Sequence, residues 1–374
     1  MTLLTPGAAA LAAERADEWQ TPALVIDAAR VDGNIAATLR MLGGDASRWR
    51  PHIKTAKLGW AVGRLLAHGV TTFKCATTAE LAMLCERGAS EVLLAFAVSG
   101  ANAARASALA KRYPATRVSV LVEDAAQVPV WRGASVGVMI DIDSGQHRTG
   151  IAPADASAVA QVADAIAAAG LALDGLHWYD GHLSGYGLEQ RTAIAHVGYQ
   201  RLMQIADALA DAGHAPLLLL TSGTATQPCA ASYAPFVGGV HQSTAGTVLY
   251  NDLQSLATLA GAGYEPAAFV LSRVVSRPLP GRFTCDAGHK AVSADAGVPT
   301  CGVVGHPEWT PAAPSEEHLP IDVPQGAELP GYGETLLLVP RHVCPTVNLF
   351  DTALVVEPDG TIHVEAVTAR GHEL

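Results

Sequence analysis

Residues 137–143 read Gly-Val-Met-Ile-Asp-Ile-Asp, an apolar run that contains two carboxylates near its end. A strand that is apolar on both faces is typical of a parallel sheet covered by helices on both sides. Alanine-rich stretches that predict helices separate this run from similar ones at residues 23–27, 72–76, 92–96, 118–122, 173–179 and 217–220. The alternation of such runs with helices predicts an α/β fold with a parallel sheet.

The number of these units predicts the architecture. Residues 22–255 hold seven or eight of them, which is the length of a (β/α)8 TIM-like barrel. A doubly wound open sheet is the alternative, because strand count alone does not close a barrel. After about residue 255 short β-rich pieces alternate with Pro and Gly clusters. We expect residues 256–374, joined by residues 1–21, to form a second, mainly β domain, since chain ends are often neighbours.

Composition and charge exclude several classes of protein. The net charge of −11 argues against non-specific nucleic-acid binding, which needs clustered basic surface. No apolar run reaches the roughly 18–20 residues of a membrane span. Glu14 and Asp17 follow the alanine-rich start, so a helical arm is expected there rather than a secretory signal. The six cysteines are scattered without a CxxC pair, which favours a reduced, cytoplasmic protein over a disulfide scaffold.

One lysine stands in an unusual setting. Residues 50–55 read Arg-Pro-His-Ile-Lys-Thr, and Trp49 and Trp60 flank them. A lysine after an apolar residue is ordinarily a surface residue. Here the apolar neighbours predict that Lys54 is buried, and a buried lysine loses its proton readily and can attack an aldehyde.

Polar residues at strand ends form a second group of candidates, because barrel enzymes carry their catalytic groups there. Arg148 follows the run at 137–143, and it is either an anion ligand or an ion-pair partner. Tyr179 ends another strand, and His182 lies three residues later. A lone histidine is more often structural than a base, so His182 is the weaker candidate.

Two small, hydroxyl-rich turns are candidates for a phosphate site. The turn Ser222-Gly223-Thr224 follows a late strand, where barrel proteins often bind phosphate, although an ordinary turn has the same composition. The pair Gly246-Thr247, just before Tyr250, is expected to close the same pocket.

His342 and Cys344 are spaced as metal ligands within an apolar run that resembles a strand. Side chains at i and i+2 of a strand point the same way, so the two could hold one ion. Two ligands do not fill a zinc site, so water or a substrate would complete it, as in an open catalytic centre. Chance spacing in a β-strand is the alternative.

These motifs together resemble a known family. Residues 50–55 look like the pyridoxal-phosphate lysine motif of the fold-type III enzymes, which share the fold of alanine racemase. Residues 342–349, His-Val-Cys-Pro-Thr-Val-Asn-Leu, look like the metal motif of their D-serine dehydratase and D-threonine aldolase branch. Residues 286–291 and 315–318 are similar to less specific motifs of that branch. The matches span residues 22 to 351 in the family's order.

The resemblance implies site roles and an assembly. Lys54 would bind pyridoxal phosphate as a Schiff base, with His52 beside it, and His342 and Cys344 would bind a divalent ion: zinc, manganese or magnesium. The cofactor phosphate would lie against the Ser222–Thr224 turn and Tyr250, and Tyr179 would lie near the pyridine ring. The substrate would be a D-amino acid with a β-hydroxyl, and the protein would be a homodimer.

Two lyase reactions fit this resemblance. Dehydration would give a 2-oxo acid and ammonia, and retro-aldol cleavage would give glycine and an aldehyde. Cys344 favours the dehydratase, since the aldolases tend to carry aspartate there. Residues 345–349 continue as in the aldolases, so the aldolase stays the alternative. The metal pair argues against a racemase, and the β domain argues against a bare-barrel cofactor carrier.

Overall fold

The computed structural model describes residues 4–214 and 218–372. Ten α-helices occur in these ranges: α1 Ala10–Glu14, α2 Ala28–Met41, α3 Gly59–Ala67, α4 Thr78–Glu86, α5 Gly100–Arg112, α6 Ala156–Ala168, α7 Leu188–Asp211, α8 Gln227–Ser232, α9 Leu253–Thr258 and α10 Val343–Val347. Short 3-10 helices lie at Gly7–Ala9, Ala16–Glu18, Ala46–Arg48, Ala125–Trp131, Gly181–Gly185, Ala234–Phe236 and Thr247–Leu249.

The described ranges also contain sixteen strands. They are β1 Ala23–Asp27, β2 Thr72–Cys75, β3 Glu91–Leu94, β4 Arg117–Val122, β5 Gly137–Ile142, β6 Ala172–Trp178, β7 Leu218–Thr221, β8 His241–Ser243, β9 Ala268–Leu279, β10 Arg282–Cys285, β11 Cys301–Val303, β12 Thr310–Pro311, β13 Leu319–Asp322, β14 Thr335–Pro340, β15 Thr352–Val356 and β16 Ile362–Ala366. Leu217, expected to open a strand, lies outside the described residues.

The chain divides into two compact units. Among the described residues, the barrel unit comprises 38–54, 62–214 and 218–246, with residue 372, and the β unit comprises 4–37, 55–61 and 247–371. The limits inferred from the sequence, at residues 22 and 255, differ from these, because residues 22–37 and 247–255 belong to the β unit.

The barrel unit is a parallel sheet in sequence order, β2 through β8. A short segment, Trp49 to Ile53, takes the eighth position. Trp49 bridges Ser243 of β8 and His52 bridges Lys74 of β2, both in parallel. The segment therefore closes the ring, as the sequence predicted for a (β/α)8 barrel.

The first strand is where the sequence prediction was wrong. Ala23–Asp27 was expected to open the barrel, but β1 pairs in parallel with β15 and antiparallel with β9, in the β unit. Its run of buried apolar residues suits the centre of either sheet, so composition could not assign it. The Trp49–Ile53 segment takes its place in the ring.

The β unit is a nine-stranded, mostly antiparallel sheet with an apolar core on each face of β9. Val270 belongs to one core with Phe283 and Trp309, whereas its neighbours Phe269 and Leu271 belong to the other. This alternation is the two-residue period of a strand. Ala9, Ala12 and Ala16 pack into the second core, which confirms that the N-terminal segment joins the β domain.

Candidate active site

A cavity of about 380 Å³ lies in the barrel unit. Many of its lining residues follow strands directly, such as Ala76 after β2, Ala95 after β3, Glu123 after β4 and Tyr179 after β6. The cavity therefore lies at the carboxyl ends of the strands, where barrel enzymes carry their active sites. A larger cavity, of about 620 Å³, has a lining that is mainly alanine and other apolar side chains between α6 and α7.

Lys54 lies in this cavity with His52. It follows the ring-closing segment, whose Ile53 N–H donates to the carbonyl of Lys74 at 2.8 Å. The sequence predicted that Lys54 is buried, and this was wrong: its side chain is exposed. The reason is local, because the segment ends at the buried Ile53 and the next side chain emerges at the mouth of the ring.

The buried amine is a second lysine, Lys74, which the sequence interpretation missed. Its side chain is 3% exposed and lines the same cavity. Burial lowers the pKa of Lys74 to about 7, and the positive charges of Lys54 and Arg148 act in the same direction. A charged residue between Phe73 and Cys75 in an apolar strand was the available signal.

Lys74 is held by a chain of buried polar groups. Its Nζ lies 2.9 Å from His177 Nε2 and donates to Thr244 Oγ1 at 3.0 Å. His177 Nδ1 lies 2.7 Å from Asp141 Oδ1, so the ring donates to the carboxylate there and its Nε2 accepts from Lys74. Burial and the neighbouring Lys74 lower the pKa of His177, which keeps the imidazole neutral.

Tyr179 forms an aromatic wall of the cavity, and two basic side chains lie near its ring. Lys74 Nζ lies 5.3 Å and Arg148 Cζ 5.1 Å from the centre of its ring. Gly223 lies against the same ring, since a Cβ there would come within 2.9 Å of Tyr179 Cε2. The structure thus brings Lys54, Arg148 and Tyr179 together as the sequence suggested.

The turn of Ser222, Gly223 and Thr224 follows β7 and contacts Tyr179 without lining the cavity. Ser222 has a φ of 67°, a conformation that is rare outside glycine and often marks a functional turn. Its Oγ lies 2.8 Å from Ser243 Oγ. The backbone at Gly246 lies so close to His52 that only glycine fits there. A Cβ at this position would lie 2.1 Å from the His52 carbonyl oxygen.

Three further candidates, His182, Thr247 and Tyr250, are not among the residues that line the cavity. His182 is half-buried in the 3-10 helix after Tyr179 and does not line the cavity. Thr247 and Tyr250 belong to the β unit. The Tyr250 hydroxyl is buried and, among the residues that the structure describes, accepts or donates no hydrogen bond. Burial raises the pKa of this phenol, so it stays protonated and can donate to an anion.

The two candidate metal ligands lie in the β unit, and their local structure differs from the prediction. His342 and Cys344 do not lie in a strand: His342 immediately precedes α10, and Cys344 lies in its first turn. Their side chains nevertheless meet, and the Cys344 contact is the main cause that raises the pKa of His342 to about 9. Thr55 Oγ1 and Thr247 Oγ1 approach Cys344 Sγ at 3.0 and 3.4 Å.

Asp295 contacts the other side of His342. Its Oδ2 lies 2.6 Å from His342 Nδ1, and its Oδ1 accepts from Ser293 Oγ at 2.8 Å. A histidine that donates from Nδ1 to a carboxylate presents Nε2 to a metal. No group of three or more His, Cys, Asp or Glu side chains occurs within residues 4–214 and 218–372 that could hold an ion. Among the described residues His342 and Cys344 therefore offer two donors, fewer than the four of a closed structural zinc site.

The two less specific sequence motifs, residues 286–291 and 315–318, also contact each other. The backbone N–H of Gly288 donates to Glu317 O, and that of His289 donates to Ser315 O. A Cβ at Gly288 would lie 2.3 Å from Glu316 O, so the two segments touch at that point only because the residue is glycine. Residues 293–295, which support His342, follow this contact directly in the sequence.

Comparisons with known proteins define the family. Residues 26–251 match the sequence profile "Alanine racemase, N-terminal domain", and residues 267–356 match "Putative serine dehydratase domain". D-threonine aldolase of Arthrobacter sp is 30% identical over 361 residues, which are 94% of this chain and 93% of the relative. D-threo-3-hydroxyaspartate dehydratase of Delftia sp. (strain HT23) is 26% identical, over 91% of this chain and 95% of the relative.

A solved structure agrees with the sequence matches. The crystal structure of D-threonine aldolase from Filomicrobium marinum superimposes with a TM-score of 0.84 at 28% identity, over 94% of this chain and 96% of that one. The chain therefore belongs to the fold-type III pyridoxal-phosphate enzymes, in the branch of D-threonine aldolase and D-serine dehydratase. None of the helices in the described ranges has the length and apolarity that a bilayer span needs.

Proposed function

We propose that this protein is a pyridoxal-phosphate-dependent lyase of D-β-hydroxy amino acids, and that dehydration is its main reaction. The observation that carries the proposal is the cavity of the barrel unit, in which two amines, a guanidinium and an aromatic wall converge. The amines and the guanidinium can bind an anionic aldehyde, and the aromatic wall can pack against its flat ring. When bound, pyridoxal phosphate supplies an electron sink for the bonds at the substrate's Cα.

Lys54 is proposed as the lysine that binds the cofactor and then removes the Cα proton. Its exposed position at the mouth of the ring leaves the amine accessible to both cofactor and substrate. His52 and Arg148 line the cavity beside it, and Tyr179 provides a flat surface for a ring. The Ser222–Thr224 turn, Gly246, Thr247 and Tyr250 are proposed to hold the phosphate, and His182 is proposed as a supporting polar group.

His342 and Cys344 are proposed as ligands of a divalent ion, with zinc favoured because of the thiolate. Such an ion would act as a Lewis acid toward the substrate's β-hydroxyl. One solved structure of a D-threo-3-hydroxyaspartate dehydratase is of a cysteine-to-alanine variant in a metal-free form, and another is of a histidine-to-alanine variant. The two replaced residues are two positions apart, as His342 and Cys344 are here.

Retro-aldol cleavage is the second candidate reaction. It is favoured by one observation, the 30% identity to the D-threonine aldolase of Arthrobacter sp. The two reactions begin from the same substrate class and differ in the bond that breaks. Loss of the Cα proton and the β-hydroxyl gives a 2-oxo acid and ammonia, whereas cleavage between Cα and Cβ gives glycine and an aldehyde.

A product assay tests the proposal. The purified protein is incubated with pyridoxal phosphate and Zn²⁺, Mn²⁺ or Mg²⁺, and with D-serine, D-threonine or D-threo-3-hydroxyaspartate. Release of a 2-oxo acid with ammonia is the expected result. Glycine and acetaldehyde from D-threonine would establish the aldolase instead, and no product from any substrate would refute the lyase.

Three further properties are part of the proposal. The protein is proposed to be a homodimer in which each active site draws on both chains, as the family resemblance implies. It is proposed to be cytoplasmic, since its scattered cysteines suit a reducing compartment. Its partner is a small D-amino acid, since the acidic net charge does not favour nucleic acid. Light scattering on the purified chain checks the dimer.

A further inference from the structure

The function proposed above counts Lys74 among the cavity's two amines but gives it no step of its own, although it is the more buried of the two. The chain has only five lysines, at positions 54, 57, 74, 111 and 290. Two of these five, Lys54 and Lys74, line the same cavity of about 380 Å³. A buried lysine is costly unless its polar groups are paired, so the position of Lys74 needs a reason.

The hydrogen bonds of Lys74 leave part of its capacity unused. Thr244 donates its hydroxyl to Ser222 O at 2.6 Å, so its Oγ1 accepts from Lys74. His177 Nε2 is the other acceptor. In the parts of the chain that the structure describes, these are the two hydrogen-bond partners of Lys74 Nζ. An ammonium has three N–H bonds, so one is left for a ligand in the cavity.

The charges around Lys74 also indicate an anionic ligand. The titratable and charged groups that act on it are Lys54, Asp141, Arg148, Asp180 and His177. Asp141 is already bonded to His177. Asp180 is fully buried and accepts from Tyr199 at 2.8 Å and from Thr226. Neither of these carboxylates is left to pair with Lys74, and the cavity's other carboxylate, Glu123, accepts from the backbone N–H of Gly150. Lys54 and Arg148 add positive charge to the cavity.

We propose that Lys74 is the anion-binding amine of this cavity, held in place by His177 and Thr244, and that it donates its remaining N–H to an anionic oxygen of the bound ligand. The proposal rests on the pyridoxal-phosphate function above for the identity of that ligand. The oxygen is either one of the cofactor's or a carboxylate oxygen of the amino acid, and the chemistry is the same for both. His177 is then a positioning residue, with Asp141 fixing its tautomer.

The test follows the protonation of individual lysines. Labelling with [ε-13C]lysine should give five resolvable NMR signals, and the loss of one signal in Lys74→Gln assigns Lys74. In the cofactor-free protein the Lys74 signal should titrate with a midpoint near pH 7. An anion at hydrogen-bond distance should raise that midpoint by about one unit or more, because it favours the ammonium. Exposed Lys111 is the internal control and should not move.

Two additions distinguish the sources of the anion. A raised midpoint with pyridoxal phosphate alone identifies a cofactor oxygen, and a raised midpoint with acetate, a carboxylate probe, identifies a carboxylate subsite. Either result supports the proposal. An unmoved Lys74 midpoint in both titrations overturns it.

The same data separate this inference from the lyase proposal. If pyridoxal phosphate does not bind, its absorbance does not change and the proposed function fails, while the acetate titration still decides the role of Lys74. If Lys74→Gln does not fold, variants of the other four lysines assign the Lys74 signal by elimination.

Discussion

Nζ of Lys74 lies 2.9 Å from Nε2 of His177, and both side chains are buried in the barrel unit. A neutral imidazole accepts this bond, so the amine must carry any positive charge of the pair. The energetic consequence is that the protonation state of Lys74 is coupled to the stability of the fold.

The pH dependence of stability should report Lys74. Its pKa is about 7 in the folded protein, against 10.5 in ordinary surroundings. Between these values the unfolded chain binds a proton that the folded chain does not, so the free energy of unfolding rises with pH. Lys74 alone contributes a rise of about 1.4 kcal/mol per pH unit in this range. Below about pH 7 Lys74 is protonated in both states, so its contribution no longer changes with pH.

The measurement is urea unfolding of the wild type and Lys74→Met at several pH values from 7 to 9. The free energy of unfolding of the wild type should increase relative to that of the variant as the pH rises. The other titrating groups are common to both proteins and cancel in this difference. If the free energies of unfolding of the two proteins change in parallel with pH, Lys74 does not have a lowered pKa in the folded protein.

Lys54 should be the residue that carries the cofactor. Reduction of the pyridoxal-phosphate-loaded protein with borohydride, followed by peptide mapping, should place the label on Lys54. Lys54→Ala should lose the covalent label, and Lys111→Ala, an exposed control, should keep it. A label on Lys74 in the wild type would reassign the cofactor lysine.

Cys344→Ala should abolish turnover and leave the absorbance of the bound cofactor at its usual wavelength. The reason is that the Cys344 thiolate is proposed to bind the metal and not the cofactor. Cys85→Ala, a control in a buried position of α4, should keep turnover. Loss of the cofactor band in Cys344→Ala would mean that this cysteine is structural.

Asp295→Ala should weaken metal binding by about 10- to 100-fold, because His342 loses the carboxylate that orients its ring. Asp295→Asn should recover part of the affinity, since its amide oxygen can still accept from Nδ1. Ser293→Ala removes only the hydrogen bond from Ser293 Oγ to Asp295 and should therefore weaken metal binding less. Titration with Co²⁺, followed by its visible absorption, measures the affinity without an activity assay. Equal affinities in all variants would remove Asp295 from the site.

Gly246→Ala should destabilise the barrel unit by about 1–3 kcal/mol or more, since the added methyl would overlap the His52 carbonyl. The displaced segment carries Lys54, so cofactor affinity should fall as well. Gly63→Ala in α3 is the control: a Cβ there meets nothing within 4 Å, and the helix should gain about 0.5–1 kcal/mol. Thermal unfolding of both variants checks the pair, and a neutral Gly246→Ala would refute the close approach.

The sequence was a good guide to the class of fold and a poorer one to the details that place the site. Apolar runs such as residues 137–143 predicted the parallel sheet because burial on both faces leaves that pattern. The same pattern misplaced Ala23–Asp27, since a central strand of the β unit is buried in the same way. The segment that closes the ring could not be found by periodicity, because only isolated bridges hold it.

Candidate site residues could be proposed from the sequence where a motif contained them. Residues 50–55 were proposed from their composition and apolar neighbours, and His342 and Cys344 from their spacing; the side chains of His342 and Cys344 do meet. Their geometry was not predictable, because an apolar run with Val343 and Val347 fits a strand as well as a short helix. Lys74 was missed because its significance comes from His177 and Thr244, which lie 103 and 170 residues away in sequence.

The ring-closing segment has a consequence for how the protein is made. Trp49 Nε1 donates to the carbonyl of Ala245, a residue 196 positions later in the chain. The strand position next to Lys54 therefore cannot be completed until β8 has left the ribosome. A nascent chain that stops before β8 has Lys54 but no closed ring to hold it, and contacts of such long sequence separation form slowly. Cofactor capture is thus expected only after β8 has emerged, when about two-thirds of the chain has been made.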